Sequence, residues 1–351
     1  MLRKSIVLTI LLICAVLTFA AVSGTVAEVD KYGNVHTDIP AETVEEAGFE
    51  LGDMLLIKME EESVEAPFVT TYGDVDMGDP LVRVSGGHLM MALNYANFAK
   101  TYGLEAGSEV SYEMVEKGAY AEELEIRQLT RTDDREDYAS DAIFANFREV
   151  TIGEIAPGKL YRSSHPSIED PRAPYAAELA EKAGIKTIVN LSDSDEEVKE
   201  FCANSSFFAS IEESGNMVNL NMGVDLLSDE FAGKLKEGLL FMIENDTPYL
   251  VHCVEGKDRA GMTVAILGAL MGGTTEEVYE DYALSYENYY HVEKGTSAYT
   301  SVVNIIKEIF ASINDGNPVN DENIGYVAMQ YLVERVGLSY PEVLAIQSKL
   351  R

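Results

Sequence analysis

Basic side chains are scarce in this chain: 26 lysines and arginines stand against 60 aspartates and glutamates in 351 residues, a formal charge of −34. Such a surface repels nucleic-acid backbones and anionic headgroups, which argues against a nucleic-acid partner and leaves little for docking on an acidic bilayer. Cysteine is sparse as well, and the three present, Cys14, Cys202 and Cys253, cannot build a disulfide framework. His36, His88, His165 and His291 lie scattered without metal-ligand spacing and read as ordinary surface or core residues, so no metal and no other cofactor is expected. Repeats and low-complexity tracts are absent, which leaves globular domains as the organisation.

The chain opens with Arg3 and Lys4, an apolar run from Ile6 to Val22, and the small-residue site Thr25-Val26-Ala27. That order is a secretory signal peptide over residues 1–27, so the protein is expected to be secreted. The apolar run also reaches the short edge of a membrane span, which keeps an uncleaved N-terminal anchor as the alternative and the one route to a membrane. Ile13 in front of Cys14 argues against lipid attachment, which wants a small side chain there.

From 28 to 115, short β-type runs at 24–29, 54–59, 68–71, 81–85 and 109–115 are separated by Gly, Asp and Pro turns, the pattern of a small all-β barrel or sandwich. One helix is expected at 88–102. Residues 116–130 are charged and polar and read as a linker, with Arg131 to Tyr138 packing on the domain C-terminal to it. Residues 131–351 suffice for a well-buried core. Apolar strands at 187–191, 217–221 and 248–251 alternate there with helical stretches, which predicts an α/β sheet flanked by helices. The stretch 321–351, apolar at helical spacing, should close one side.

The chemistry is concentrated in His252-Cys253-Val254-Glu255-Gly256-Lys257-Asp258-Arg259. The apolar run before it reads as a buried strand and residues 261–271 after it as a buried helix. A loop between a strand and a helix N-terminus turns its amides inward and favours anions, phosphate or thiolate alike, and Lys257 and Arg259 add positive charge. Cysteine and arginine at this spacing can face each other across one phosphate group.

The run His-Cys-x-x-Gly-Lys-Asp-Arg-x-Gly at 252–261 resembles the signature of the cysteine-dependent protein tyrosine phosphatase superfamily, in its atypical bacterial tyrosine and dual-specificity branch. Asn146-Phe147-Arg148-Glu149-Val150, Gly158-Lys159-Leu160-Tyr161-Arg162-Ser163-Ser164, the run 183–191 and Tyr286-Glu287-Asn288-Tyr289-Tyr290 are similar to further blocks of those enzymes. The resemblance spans about residues 130–351. It implies the tyrosine phosphatase fold and a two-step reaction through a cysteinyl-phosphate. Cys253 would be the nucleophile, and Arg259 would hold the equatorial oxygens. Val254, Glu255, Gly256, Lys257 and Asp258 would complete the phosphate cradle, with His252 supporting it by hydrogen bonding from beneath.

The leaving oxygen needs a proton, and the resemblance offers two aspartates. Asp258, inside the loop, is the first candidate for this general acid; Asp225, on a separate loop, is the alternative. Each has a plainer reading: Asp258 as a salt-bridging acid at a helix N-terminus, Asp225 and Asp229 as the start of a helix near 229–231. The residue after the arginine, normally serine or threonine in that superfamily, is Ala260 here, with Thr263 one helical turn on. Breakdown of the intermediate is therefore expected to be slow relative to its formation. Cys202 reads as a packed or surface thiol, with a reversible disulfide to Cys253 as the alternative. A thiolate enzyme outside the cell implies a reducing or anaerobic setting.

Asp30-Lys31-Tyr32-Gly33-Asn34-Val35, then Thr37-Asp38-Ile39-Pro40, then Pro67-Phe68-Val69-Thr70-Thr71-Tyr72-Gly73-Asp74-Val75, resemble the C-terminal barrel domain of the S-adenosyl-L-methionine hydroxide adenosyltransferases. In those enzymes the barrel completes an adenosyl pocket with an N-terminal domain of a neighbouring subunit. This sequence shows no such domain, so the barrel is expected to bind or scaffold rather than to catalyse. Asn34 matches a position near that ligand and equally fits a Gly-Asn turn.

These readings predict a secreted cysteine phosphatase with phosphotyrosine on a protein or peptide as its first-choice substrate. Phosphoserine or phosphothreonine, and phosphoinositides or inositol phosphates, to which Lys257 points, are the alternatives. A phosphate-binding module with weak turnover is the reading from a different class. The sequence sets no oligomeric state.

Overall fold

The computed structural model describes residues 21–60 and 62–351, so most of the signal peptide expected at 1–27 lies outside the described residues. The chain divides into two units, one ending at Gln128 and the other running from Leu129 to Arg351.

Seven strands build the first unit: β1 (Val22–Val29), β2 (Val35–Pro40), β3 (Met54–Lys58), β4 (Ser63–Pro67), β5 (Pro80–Ser85), β6 (His88–Leu93) and β7 (Glu109–Glu116). They form one antiparallel sheet in the order β4-β3-β7-β1-β2-β6-β5. A bridge between Phe68 and Val82 brings the two edges together, so the sheet nearly closes into the expected barrel. Alternating residues such as Leu55 and Ile57, Leu89 and Met91, and Val110 and Tyr112 fill its core. Three short helices decorate it: α1 (Ala41–Glu46), α2 (Phe98–Tyr102) and α3 (Ala121–Arg127).

Four sequence expectations change in this unit. The stretch 88–102 is not one helix but strand β6 followed by α2. Its Leu-Met-Met-Ala-Leu run is apolar at every position because both faces are covered: Leu89, Met91 and Leu93 face the barrel core, while Met90 and Ala92 pack with Val69, Val75, Leu81 and Leu124. Gly86 and Gly87, at φ 60° and 80°, supply the tight turn that pairs β5 with β6. The strand expected at 68–71 is β4, at Ser63–Pro67. The barrel also begins at Val22, ahead of the boundary drawn at 28, and helix α3 of the expected linker 116–130 lays Leu124 on the same outer cluster.

The second unit is the expected α/β domain. Its strands are β8 (Arg148–Glu149), β9 (Leu160–Ser163), β10 (Thr187–Asn190), β11 (Met217–Asn219) and β12 (Tyr249–His252), in the order β11-β10-β12-β9-β8. All are parallel except β8. Strand β12 is central and buried at all four positions, as its uninterrupted apolar character requires. Helices α4 (Asp141–Phe144), α5 (Ala173–Lys182), α6 (Asp195–Phe201), α7 (Ser206–Glu213), α8 (Asp229–Glu244), α9 (Asp258–Leu270), α10 (Thr275–Tyr290), α11 (Ser297–Ile313), α12 (Ile324–Gln330) and α13 (Tyr340–Leu350) flank this sheet. Helix α9 is buried from Ala260 to Leu270, and α13 packs against α8, closing one side as expected of 321–351. Among the described residues no helix is long and apolar enough to cross a membrane.

Candidate active site

The loop 253–257 leaves the C-terminal end of the central strand β12 and enters α9, the position where open parallel sheets present their ligands. Its carbonyls are tied back. The Val254 carbonyl accepts from the His165 amide (3.0 Å), that of Glu255 from Asn146 Nδ2 (2.9 Å), and that of Gly256 from Arg162 Nη2 (2.7 Å). The Lys257 carbonyl accepts from Arg162 Nη2 (3.2 Å) and from the Gly261 amide (2.8 Å). The amides of Val254 to Lys257, in contrast, donate to no protein acceptor among the described residues. With the oxygens bound from outside and the N–H groups left free at a helix head, the loop is a nest for one anion. Gly256 makes this turn possible: it sits at φ 70°, and a Cβ there would lie 2.2 Å from the Ser163 carbonyl oxygen.

Two arginines, one buried and one partly buried, hold the cradle from behind. Arg162, fully buried, pairs with Asp281 Oδ2 at 2.5 Å, and Arg148 Nε pairs with Asp281 Oδ1 at 2.8 Å. Arg148 also donates to Asn146 Oδ1 (2.7 Å) and to Ser285 Oγ (2.9 Å), while Asn288 Nδ2 donates to the same Asn146 oxygen (3.2 Å). Burial works to raise the Asp281 carboxyl, but the two guanidiniums outweigh it and hold it down at about 2. Burial, reinforced by the Arg162 charge, brings Arg148 down to about 10. Sequence reasoning gave none of these residues a role. The available signal was an arginine inside the short strand run Leu160-Tyr161-Arg162-Ser163, which a buried sheet tolerates only with a dedicated partner.

Beside Cys253, itself only 3% exposed, two imidazoles, His252 and His165, meet edge to face with ring centroids 4.6 Å apart. Burial, with His165 beside it, drives His252 down to about 3, so its ring is neutral. Its Nδ1 is 3.5 Å from the Cys253 carbonyl and its Nε2 has no partner among the described residues, so the support expected from it comes as packing and one long contact. His165 is better held. Its Nδ1 accepts from the amides of Ser167 (2.9 Å) and Ile168 (3.1 Å), which leaves the proton on Nε2 to donate to Asp193 Oδ2 at 2.7 Å. Burial opposes ionisation of Asp193, and the His165 hydrogen bond overcomes it, keeping the carboxyl below its ordinary range.

At the mouth, Arg259 Nη1 donates to the Met222 carbonyl at 2.8 Å, which ties the loop between β11 and α8 to the cradle. Asp225 is exposed in that loop, three residues past Met222. Helix α8 is capped by Ser228 Oγ, which accepts from the Phe231 amide, while Asp229 pairs with Arg335 at 2.9 Å; neither aspartate is the cap. Asp258 occupies the first turn of α9, where its Oδ1 accepts from Tyr286 Oη (3.1 Å) and its Oδ2 lies 3.6 Å from Lys257 Nζ. The Lys257 ammonium is therefore boxed, with Glu255 at 3.2 Å and the rings of Tyr286 and Tyr290 at 4.8 and 5.0 Å. Arg131 reaches Glu255 (2.8 Å) and Asp133 reaches Arg172 (2.7 Å), so the 131–138 stretch does pack on this unit. Ala260 is fully buried, and the buried Thr263 Oγ1 has no partner among the described residues. Cys202 is a free, half-buried thiol against the cluster of Phe207 and Phe208.

Residues 144–350 match the family described as the tyrosine phosphatase family, and residues 24–111 match the SAM hydroxide adenosyltransferase C-terminal domain. Among solved structures, an uncharacterized conserved protein from Thermotoga maritima is 30% identical over 26% of this chain and 35% of its own, with a TM-score of 0.26. A conserved hypothetical protein from Thermus thermophilus is 22% identical over 26% of this chain and 34% of its own, with a TM-score of 0.21. The chain thus spans about a third of the length of these two. The core catalytic domain of the PP-IP phosphatase SIW14 from S. cerevisiae, solved with citrate, is 21% identical over 50% of this chain and 96% of its own, with a TM-score of 0.29.

Proposed function

Because the chain belongs to the tyrosine phosphatase family through residues 144–350, we propose that it hydrolyses phosphate monoesters through a cysteinyl-phosphate, with phosphotyrosine on a protein or peptide as substrate. The observation that carries this reading is the cradle itself: every carbonyl from Val254 to Lys257 is bound from outside the loop and no amide of that run donates to an acceptor among the described residues, around a cysteine at the head of α9. Phosphate oxygens would take those amides together with the Arg259 guanidinium. The Cys253 sulfur attacks phosphorus, the bond to the leaving oxygen breaks, and that oxygen takes a proton from Asp258. Water then attacks the thiophosphate, its proton returns to the carboxylate, and the sulfur leaves as thiolate. Asp225 is the alternative acid, because its loop is joined to Arg259 through Met222.

The test is hydrolysis of p-nitrophenyl phosphate by the full chain in the presence of EDTA. Wild type should turn over and Cys253→Ser should not. Binding of a phosphotyrosine peptide by both proteins with turnover by neither would instead favour the module that holds phosphate without hydrolysing it.

Export is part of the same reading. Residues 22–27 belong to β1, so cleavage after Ala27 would remove most of a central barrel strand. A cleavage that spares the barrel falls before Val22, next to Ala20 and Ala21, and N-terminal sequencing of the mature protein decides between the two positions.

A further inference from the structure

Among the described residues, the side chain of Lys257 on the loop and those of Arg131, Lys234 and Arg335 around the pocket mouth are each paired with a carboxylate. Lys257 lies 3.2 Å from Glu255 and 3.6 Å from Asp258; burial alone would lower its affinity for a proton, yet those two charges raise it. Arg131 meets Glu255 at 2.8 Å and stands 3.7 Å from both Asp133 and Asp170. On the opposite wall, Lys234 donates to the Asn221 carbonyl beside Met222 and pairs with Glu230 at 3.0 Å, and Arg335 pairs with Asp229 at 2.9 Å. Glu255 is held in place by the Tyr290 hydroxyl, 2.9 Å from each of its oxygens, and by Arg131. The positive charge that remains is inside: Arg259, and the excess of Arg148 and Arg162 over Asp281 behind the loop.

From this distribution we propose that the site accepts a single phosphate carried on a neutral or basic scaffold, a phosphopeptide with lysine or arginine beside the phosphorylated residue, and rejects polyphosphates and acidic-flanked phosphopeptides. The inference rests on the phosphatase reading above and adds the substrate's charge to it. One phosphate dianion is matched by the inner charge and the free amides. A second phosphate, or an acidic neighbour, would reach the rim and meet Glu255, with Asp133 and Asp170 beside Arg131, and no unmatched cation among the described residues, a like-charge contact that disfavours binding. A basic neighbour would meet the same carboxylates favourably. The net charge of −34 acts in the same direction at long range, slowing the approach of polyanions.

The experiment compares kcat/KM of the full chain on two phosphotyrosine peptides identical except for lysines or glutamates flanking the phosphotyrosine. It adds ATP and inositol hexakisphosphate as polyphosphates and p-nitrophenyl phosphate as the activity reference. The expected result is a preference of about tenfold or more for the lysine-flanked peptide. That preference should shrink as salt is raised from about 20 to about 500 mM, and the polyphosphates should turn over more slowly than either peptide. Glu255→Gln, which keeps an acceptor for Tyr290 but uncovers Lys257 and Arg131, should narrow the gap by about threefold, the scale of one partly exposed charge pair. Equal rates on the two peptides, a preference for the acidic one, or faster turnover of inositol hexakisphosphate, with p-nitrophenyl phosphate still hydrolysed, would overturn this inference alone. A preference that neither salt nor Glu255→Gln alters would overturn its electrostatic cause. No turnover of p-nitrophenyl phosphate would overturn the phosphatase reading and this inference with it.

Discussion

His165 Nε2 donates to Asp193 Oδ2 across 2.7 Å, and the backbones of these two residues hold opposite walls of the pocket. The His165 amide binds the Val254 carbonyl of the cradle; the Asp193 carbonyl accepts from the Asn221 amide (3.1 Å), next to the Met222 carbonyl that receives Arg259. The pair thus spaces the arginine against the loop it closes. Asp193→Ala leaves a buried imidazole N–H without an acceptor, at a cost of about 1–3 kcal/mol in urea denaturation. If the pair also positions Arg259, KM for p-nitrophenyl phosphate rises by a larger factor than kcat falls. A variant that is less stable but unchanged in KM would leave the pair a purely structural role.

Gly256 and Gly158 offer a matched test of the cradle. Both adopt left-handed backbone, φ 70° and 74°, but a Cβ on Gly256 would strike the Ser163 carbonyl, whereas one on Gly158 would meet nothing within 4 Å. Gly158→Ala should cost about 1 kcal/mol from backbone strain alone and keep full activity. Gly256→Ala must in addition push β9 and the loop apart, so kcat/KM should fall by about a hundredfold or more. Thermal melts and kinetics on the two variants separate strain from displacement of the amides.

Acid should weaken the fold well above the range of ordinary carboxylates. His252 is held neutral, at about 3 in the folded protein against 6.5 in a free chain. As pH drops below 6.5 the unfolded chain binds a proton that the folded chain refuses. Stability is therefore complete above 6.5 and declines by about 1.4 kcal/mol per unit until the folded imidazole protonates. Asp281 adds a second, lower window: its depressed carboxyl stabilises above about 4, and the contribution is lost as pH falls toward 2. Urea denaturation of wild type should lose about 2 kcal/mol more than His252→Gln between pH 7 and 5. Parallel pH profiles for the two proteins would remove His252 as the cause.

Much of the second unit could be read in advance because its key features are local. The runs at 187–191 and 248–251 hold the central strands β10 and β12, buried at every strand position, so burial shows directly in their apolar residues; the run at 217–221 is the half-buried edge strand β11. The same rule misled at 88–102, where β6 is apolar on both faces and imitates a buried helix; the Gly86-Gly87 turn before it was the discriminating signal. The cradle motif is also contiguous, and so was visible. Its supports were not, since Arg162, Asp281 and Ser285 come from β9 and α10, more than a hundred positions apart, and a charged residue in a very acidic chain looks like solvated surface. The surroundings of Lys257 were hidden for a related reason: the sequence shows a lysine in the loop, but only the fold places Glu255, Asp258, Tyr286 and Tyr290 around it.

The second half of the proposed reaction depends on what stands next to Arg259. Ala260 is fully buried and offers no hydroxyl to the departing sulfur, and Thr263, one turn further along α9, is buried with its Oγ1 unpartnered. The amides of the loop and Arg259 serve both steps, but the departing sulfur of the second has no hydroxyl at position 260 to stabilise it. Rapid mixing with p-nitrophenyl phosphate should show a burst of about one p-nitrophenol per active site, followed by a slower steady state. Ala260→Ser restores a donor beside Cys253 and should raise the steady rate by about threefold to tenfold while shrinking the burst; such a factor corresponds to about 1 kcal/mol off the second barrier. Thr263→Ala should leave both phases as they are, because its hydroxyl makes no hydrogen bond to the loop among the described residues. A linear trace from wild type would mean that formation limits turnover, and Ala260 would then have no bearing on the rate.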